Sequence, residues 1–424
     1  MTVTGDGRDA PTSSLAASVG LADADLVAMY RTVALARAVD ERMWILNRAG
    51  RIPFVISGQG HEGAQVGLAW PLRRHHDWIA PFYRSIATCL AFGMTARDLM
   101  LAQYAKASDA GSGGRQMPGH YGGPAYNIVS VSSPVATQIL HAVGIALAAR
   151  IRGTDQVAVA IMGEGSSNQG DVHEALNFAA IHKLPFVFMV ENNGYAISVP
   201  AEKEISVPDV AMRASGYGIP GVVVDGTDVL ACYRVAREAV DRARSGGGPT
   251  LIEAKVTRLT AHSSDDQQTK YRSEDDLAEG RAHDPLPIFR AQLREAGVLT
   301  DELEAALVTE ISAIVDDATD FSEAEPDADP FTALDWVYAD PAAGEPPPPW
   351  HPAGPGLSRG GHRWRSGRSS MRSATAWPAR CVATAASSSW ARTSARRAAS
   401  SSRPTACGRS SVTTGSSTRR SPSR

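Results

Sequence analysis

Glu164, held between Gly163 and Gly165, and Asn193, the middle residue of Asn192-Asn193-Gly194, could together hold a hard cation beside a phosphate. Magnesium takes about six oxygens in an octahedron, commonly one or two carboxylates plus phosphate oxygens and water. Glu164 can give a carboxylate oxygen, Asn193 an amide oxygen, and the turn carbonyl of Tyr195 a third protein ligand. Glycines at 163 and 165 let the backbone approach a phosphate, and the N-terminus of a following helix favours an anion. Taken singly, each signature has an ordinary reading: Gly-x-Gly after a strand is more often a tight turn, and Asn-Asn-Gly is usually a turn. Twenty-nine residues apart, and each beyond an apolar run, the two are far more specific.

Those apolar runs must be strands for the pair to meet. Gln156 to Met162 (QVAVAIM) and Leu184 to Val190 (LPFVFMV) read as buried strands, and about Asp171 to His182 as the helix between them. Strand, helix and strand at this spacing predict a βαβ unit, hence an α/β fold with a parallel sheet flanked by helices. Open parallel sheets bind ligands beyond the carboxyl ends of their strands, where Glu164 and Asn193 fall. Val222 to Asp225 and Thr250 to Val256 read as further strands. Leu21 to about Asn47 carries apolar residues at helical spacing. Ser57 to Gly63 is a glycine-rich patch followed by helical material, and residues 109–134 form a long loop of the kind that is usually functional or disordered.

Composition divides the chain. The net charge is −3, yet from Pro346 onward there are fourteen arginines and no Asp, Glu or Lys. Subtracting those charges leaves −17 on residues 1–345. The expected organisation is a disordered lead-in over 1–20, one ligand-binding domain over 21–345, and a disordered basic Arg/Ser/Ala tail over 346–424. No apolar run reaches the roughly 20 residues of a membrane helix, and the first twenty residues show no secretory pattern. Cys89, Cys232, Cys381 and Cys407 fall at no metal or redox spacing, which suits a reducing cytoplasm.

The stretch GEGSSNQGDVHEALNFAAIHKLPFVFMVENNGYAIS resembles the thiamine diphosphate motif, which opens Gly-Asp-Gly and closes on Asn-Asn. The family it resembles is the 2-oxo acid dehydrogenases whose decarboxylating component has separate alpha and beta subunits; the match is to the alpha subunit. Over about 21–340 the resemblance also takes in GQGHEGAQVG at 58–67, Tyr83-Arg84, GRQMPGHYG at 114–122, SSPVATQ at 132–138 and AHSSDDQQTKYRS at 261–273. It implies a thiamine diphosphate-binding fold with Mg2+ held by Glu164, Asn193 and the Tyr195 carbonyl. Gly163, Gly165 and Ser166 would meet the diphosphate through the backbone, and Tyr83 and Arg84 through their side chains, an arginine fork suiting phosphate oxygens. Ser133 and the Val135 carbonyl match positions that receive the aminopyrimidine, and Ser132, Thr137 and Gln138 resemble a structural potassium (K+) loop. His262 is the histidine that reaches the diphosphate and the catalytic channel; the next residue, Ser263, matches a regulatory phosphorylation site of mammalian relatives.

Two residues depart from the pattern. Glu164 replaces the general Asp, as is common in alpha subunits. Glu191 stands where some relatives carry an arginine that helps hold the diphosphate, so anion binding must rest more on Arg84. The remaining histidines, His120, His141, His173 and His182, have weaker claims: His173 and His182 read as surface or packing residues, and His120 as a candidate lining residue. The resemblance assigns the glutamate that activates the cofactor to the beta subunit; Glu62 and Glu174 are this chain's nearest candidates, and neither lies in a matching motif.

The implied partners are a beta subunit in an α2β2 assembly, a lipoyl-bearing acyltransferase and a small 2-oxo acid, with no nucleic acid and no membrane. GRQMPGHYG and SSPVATQ look more like branched-chain members, which favours 2-oxoisovalerate; pyruvate or acetoin is the second choice. A single-chain thiamine enzyme would need a second domain for which about 340 residues leave no room. An arginine-rich nucleic-acid binder is the remaining alternative, but the tail lacks Lys, has few aromatics and shows no helical pattern. An inactive subunit with a damaged C-terminus is a further possibility. Read from one base earlier, with suitable codons, Ser387 to Ala395 becomes VVVLGEDVG and Ser400 to Ser423 a string near GLWEEFGDHRVFDTPLSE. Both resemble the start of the family's beta subunit, which suggests a frame-shifted remnant.

Overall fold

The structure, a computed structural model, describes residues 13–333. Residues 1–12 and the tail at 346–424 lie outside the described residues, as does the domain's end near 345. The lead-in expected to be disordered is instead helical from α1 (Ser14–Val19) on. Ser13 Oγ accepts the Ala16 N–H, Gly20 closes the helix in the left-handed region, and Ala16 and Val19 are buried. Six residues with two inward apolar side chains are too short a signal for periodicity to register.

The long amphipathic segment is α2 (Asp23–Arg48), followed by α3 (Glu62–Ala69), β1 (Trp78–Ala80), α4 (Ile86–Ala91) and α5 (Ala96–Gln103). Then come α6 (Thr137–Arg152), β2 (Ala158–Gly163), α7 (Gly170–Ile181) and β3 (Phe186–Asn192). A two-residue hairpin pairs β4 (Tyr195–Ala196) with β5 (Val199–Pro200), and α8 (Ala214–Tyr217), β6 (Gly221–Asp225), α9 (Val229–Arg244) and β7 (Thr250–Lys255) follow. The described residues close with α10 (Glu274–Ala282), α11 (Pro285–Glu295) and α12 (Asp301–Ala324).

The main sheet runs in the order β1-β2-β3-β7-β6 and its pairs are all parallel. Side chains alternate across a strand, and here the alternation separates two cores. Val157, Val159, Ile161, Val187 and Met189 face the core shared with α2, α3, α9 and α12. Ala158, Ala160, Met162, Phe186, Phe188 and Val190 face the one covered by α6 and α7. Burial on both faces explains why these strands are unbroken apolar runs in the sequence.

Helix α3 is buried along its whole length. A Cβ at Gly67 would come within 2.5 Å of Cys232 Cβ on α9, and one at Gly63 within 2.7 Å of the Gly226 carbonyl. These two glycines, one turn apart, let α3 sit against α9 and carry the patch before it towards the strand ends. With all main-sheet strands parallel, the segments after β1, β2, β3 and β7 emerge at one edge.

Candidate active site

At that edge lies a cavity of about 350 Å³. The segment after β1 contributes Phe82, Tyr83 and Arg84; that after β2, Gly163 to Ser166; that after β3, Asn193 and Tyr195 to Ile197; and that after β7, His262. Ser133 and Val135 enter from the segment just before α6. The residues that the sequence singled out for thiamine diphosphate, Mg2+ and catalysis therefore line one cavity, whereas Ser132, Thr137 and Gln138, singled out for K+, do not. Phe82, Ala196 and Ile197 are additions. Ile197 has φ 57°, a left-handed conformation that a branched side chain rarely adopts, which no composition signal reveals.

Glu164 is 1% exposed, its Oε2 accepts the Asn193 N–H at 3.1 Å, and its Oε1 has no partner among the described residues. Burial pushes its carboxyl up to about 7, with Glu204 adding to the shift and Arg258 opposing it. The Asn193 side-chain oxygen accepts the Tyr195 N–H at 3.2 Å. Tyr195 pairs with Pro200, which has no N–H to give, so its carbonyl takes no ladder bond from that partner. An unpartnered carboxylate oxygen, an amide oxygen and a carbonyl with no ladder bond from Pro200 are a donor set that fits a hard cation shared with phosphate oxygens. No three of His, Cys, Asp and Glu converge on a metal position among the described residues.

The glycines act differently from one another. A Cβ on Gly163 would meet nothing nearer than the Glu191 carbonyl at 4.0 Å, whereas one on Gly165 would collide with Ala196 Cβ at 2.5 Å. Gly165 is needed for packing of the turn against the β4 hairpin. The short 3-10 turn Gly165–Asn168, rather than α7, starts at the cavity.

Arg84, 2% exposed, donates through Nη1 to the Ser57 carbonyl at 2.5 Å and through Nη2 to the His262 carbonyl at 3.3 Å, with His262 Nδ1 at 3.2 Å. The Tyr83 and His262 rings meet edge to face at 6.0 Å between centroids. Burial, then the charges of Arg84 and Arg258, push the His262 imidazole down to about 4. The histidine is therefore neutral at pH 7.

The loop after it is less open than its polar sequence suggested. The His262 N–H donates to Asp266 Oδ2 at 2.8 Å, Tyr271 Oη donates to the same oxygen at 2.5 Å, and Ser264 N–H donates to the Val55 carbonyl at 2.8 Å. Ser263 and Arg272 are buried.

Ser133 Oγ lies 2.6 Å from Nε2 of the buried His120, so that histidine stands directly behind a lining residue. His141, His173 and His182 are exposed and away from the cavity; His173 bonds to Tyr217 and His182 packs on Phe178. Glu62 is occupied by Arg37 at 2.7 Å and the Gly60 N–H at 2.7 Å, and Glu174 is exposed on α7. Neither reaches the cavity. Gln138 donates to the Ile161 carbonyl at 3.2 Å and leaves its amide oxygen buried without a partner among the described residues.

Glu191 is fully buried, with its Oε2 2.6 Å from His61 Nδ1 and accepting from Gln65 Nε2 at 3.0 Å. Burial drives the Glu191 carboxyl up to about 8 and the His61 imidazole down. Wherever the proton sits, the pair adds no positive charge to the site.

A sequence model of the family described as "Dehydrogenase E1 component" matches residues 30–331. The chain is 56% identical over 322 residues to the "2-oxoisovalerate dehydrogenase subunit alpha" of Bacillus subtilis (strain 168), covering 76% of this chain and 98% of that protein. It is 38% identical over 312 residues to the "3-methyl-2-oxobutanoate dehydrogenase subunit alpha" of Mycobacterium tuberculosis (strain ATCC 25618 / H37Rv), covering 74% and 82%. To the "Pyruvate dehydrogenase E1 component subunit alpha" of Staphylococcus aureus (strain N315) it is 35% identical over 294 residues, covering 69% and 76%.

Proposed function

The chain belongs to the dehydrogenase E1 component family, and from that premise we propose that it is the alpha subunit of a branched-chain 2-oxo acid dehydrogenase. The family depends on thiamine diphosphate. With a beta subunit, in an α2β2 assembly, this alpha subunit oxidatively decarboxylates 3-methyl-2-oxobutanoate and its relatives and passes the acyl group to a lipoyl-bearing acyltransferase. The higher identity to the two branched-chain relatives than to the pyruvate relative supports that substrate class. The observation that carries the reading is the cavity at the carboxyl edge, where the unpartnered Glu164 oxygen faces a site built from four strand ends.

When bound, the cofactor supplies an electron sink for the bond broken on decarboxylation. Glu164, Asn193 and the Tyr195 carbonyl would hold Mg2+, and Arg84 and Tyr83 the diphosphate. Ser133 and the Val135 carbonyl would receive the aminopyrimidine. His262, kept neutral by burial and by two guanidinium charges, can donate or accept a hydrogen bond beside the reacting centre. The buried oxygen of Gln138 supports a K+ ion behind the start of α6. Apart from Glu164, the residues lining the cavity offer no carboxyl, which supports a beta-subunit glutamate as the activating acid.

Decarboxylation rates of the assembled enzyme on 3-methyl-2-oxobutanoate and on pyruvate test the substrate. A higher kcat/KM on the branched acid is expected; a preference for pyruvate overturns the branched-chain reading.

A further inference from the structure

Arg258 follows β7, is 1% exposed, and donates through Nη2 to Tyr271 Oη at 2.7 Å. Its Nε and Nη1 have no partner among the described residues. Its guanidinium carbon lies 5.7 Å from the Tyr195 ring centroid and 5.8 Å from that of Tyr271. Of the other buried arginines, Arg37 is matched with Glu62 and Asp284 and Arg272 with Asp276, whereas the Arg84 guanidinium bonds, among the described residues, only to the Ser57 carbonyl and to His262. Among the described residues Arg258 has no ion pair. A buried guanidinium with idle donors is costly unless an anion compensates it.

The surroundings indicate where that anion would be. Tyr195, against which Arg258 packs, and His262, whose imidazole it helps hold neutral, both line the cavity. Arg84 lines the cavity as well, and after burial its charge does most to weaken the hold of Arg258 on its proton, with Tyr271 and Asp266 opposing it. Two cations are thus brought together where the Glu191–His61 pair supplies none.

We propose that Arg258 is the second positive charge of the diphosphate site, a positioning residue that acts on the anion from behind Tyr195 and His262 and replaces the cation that position 191 lacks. This rests on the thiamine diphosphate reading of the cavity.

Calorimetry on the assembled enzyme, with magnesium and either thiamine diphosphate or thiamine monophosphate, tests it. Arg258→Met should weaken thiamine diphosphate binding at least about tenfold and thiamine monophosphate binding less, since fewer anionic charges are lost to the site. Arg258→Lys should recover most of the loss. Tyr271→Phe, which removes the hydroxyl bonded to Arg258 but keeps the charge, should change the ratio of the two affinities little. Should Arg258→Met fail to assemble, Arg258→Gln carries the same comparison. An unchanged ratio in the uncharged variant, or an equal change in Tyr271→Phe, overturns the assignment while leaving the cofactor reading intact. A wild-type enzyme that binds no thiamine diphosphate overturns both.

Discussion

The backbone N–H of Asn193 donates to Glu164 Oε2 at 3.1 Å, joining the carboxyl end of β3 to that of β2. One carboxylate oxygen thus fixes the turn that carries the other proposed metal ligands, and the second is left free for the cation. Glu164→Ala should lower thiamine diphosphate affinity at least about tenfold, or ~1.4 kcal/mol. Calorimetry on the assembled enzyme in magnesium checks this; unchanged affinity would reject the metal assignment.

His262 should remain uncharged well below neutral pH. Its folded value of about 4 lies beneath the ordinary 6.5, so the unfolded chain takes the proton more readily. The stability that this contributes is present above pH 6.5 and is lost as the pH falls toward 4. Ring resonances of labelled His262 should not titrate between pH 8 and 5, and His262→Asn should flatten the loss of stability between 6.5 and 4. A midpoint near 6.5 would show that the imidazole is not enclosed by Arg84 and Arg258.

The segment from His262 to Ser273 is expected to open without cofactor and to close around it, because its order depends on polar contacts rather than apolar burial. Tyr271→Phe removes the hydroxyl shared by Asp266 and Arg258, and should speed proteolytic cleavage in this segment several-fold. Thiamine diphosphate with magnesium should slow cleavage of the wild-type protein. Equal cleavage rates with and without them would contradict the coupling.

The tail and the partner can be tested together. A chain ended at Glu345 and supplied with a separate beta subunit should assemble and decarboxylate as the full chain does with that subunit. The alpha chain alone should be at least about a hundredfold slower, the usual worth of an absent acid–base group. Comparable rates without the beta subunit would place the activating acid in this chain. The nucleotide sequence checks the proposal that residues 346–424 are a frame-shifted beta-subunit start, where the alternative frame should read on as beta-subunit sequence. Early stop codons in the alternative frame would refute it.

Some of this was legible from sequence because its physics is local. The β2–α7–β3 unit could be read to within two residues at each end, since fully buried strands leave unbroken apolar runs and the glycine and Asn-Gly turns end them. Tyr83, Arg84 and Ser133 carry no such signal. They reach the cavity because β1 and α6 flank β2 in space, and only resemblance to a family identified them beforehand. Strand β1, three residues long, was not anticipated, nor was α1. Arg258 escaped notice because a single arginine in a loop is usually solvated; only its burial and its idle nitrogens distinguish it.

The buried contact between Glu191 and His61 also constrains how this sequence can change. An arginine introduced at 191 alone would leave His61 and Gln65 without their shared acceptor and crowd a third guanidinium toward Arg84 and Arg258. A glutamate-to-arginine change at this position is therefore not a one-step path. Positions 61, 65 and 191 must change as a set, and an arginine placed at 191 alone should fail unless its neighbours change with it.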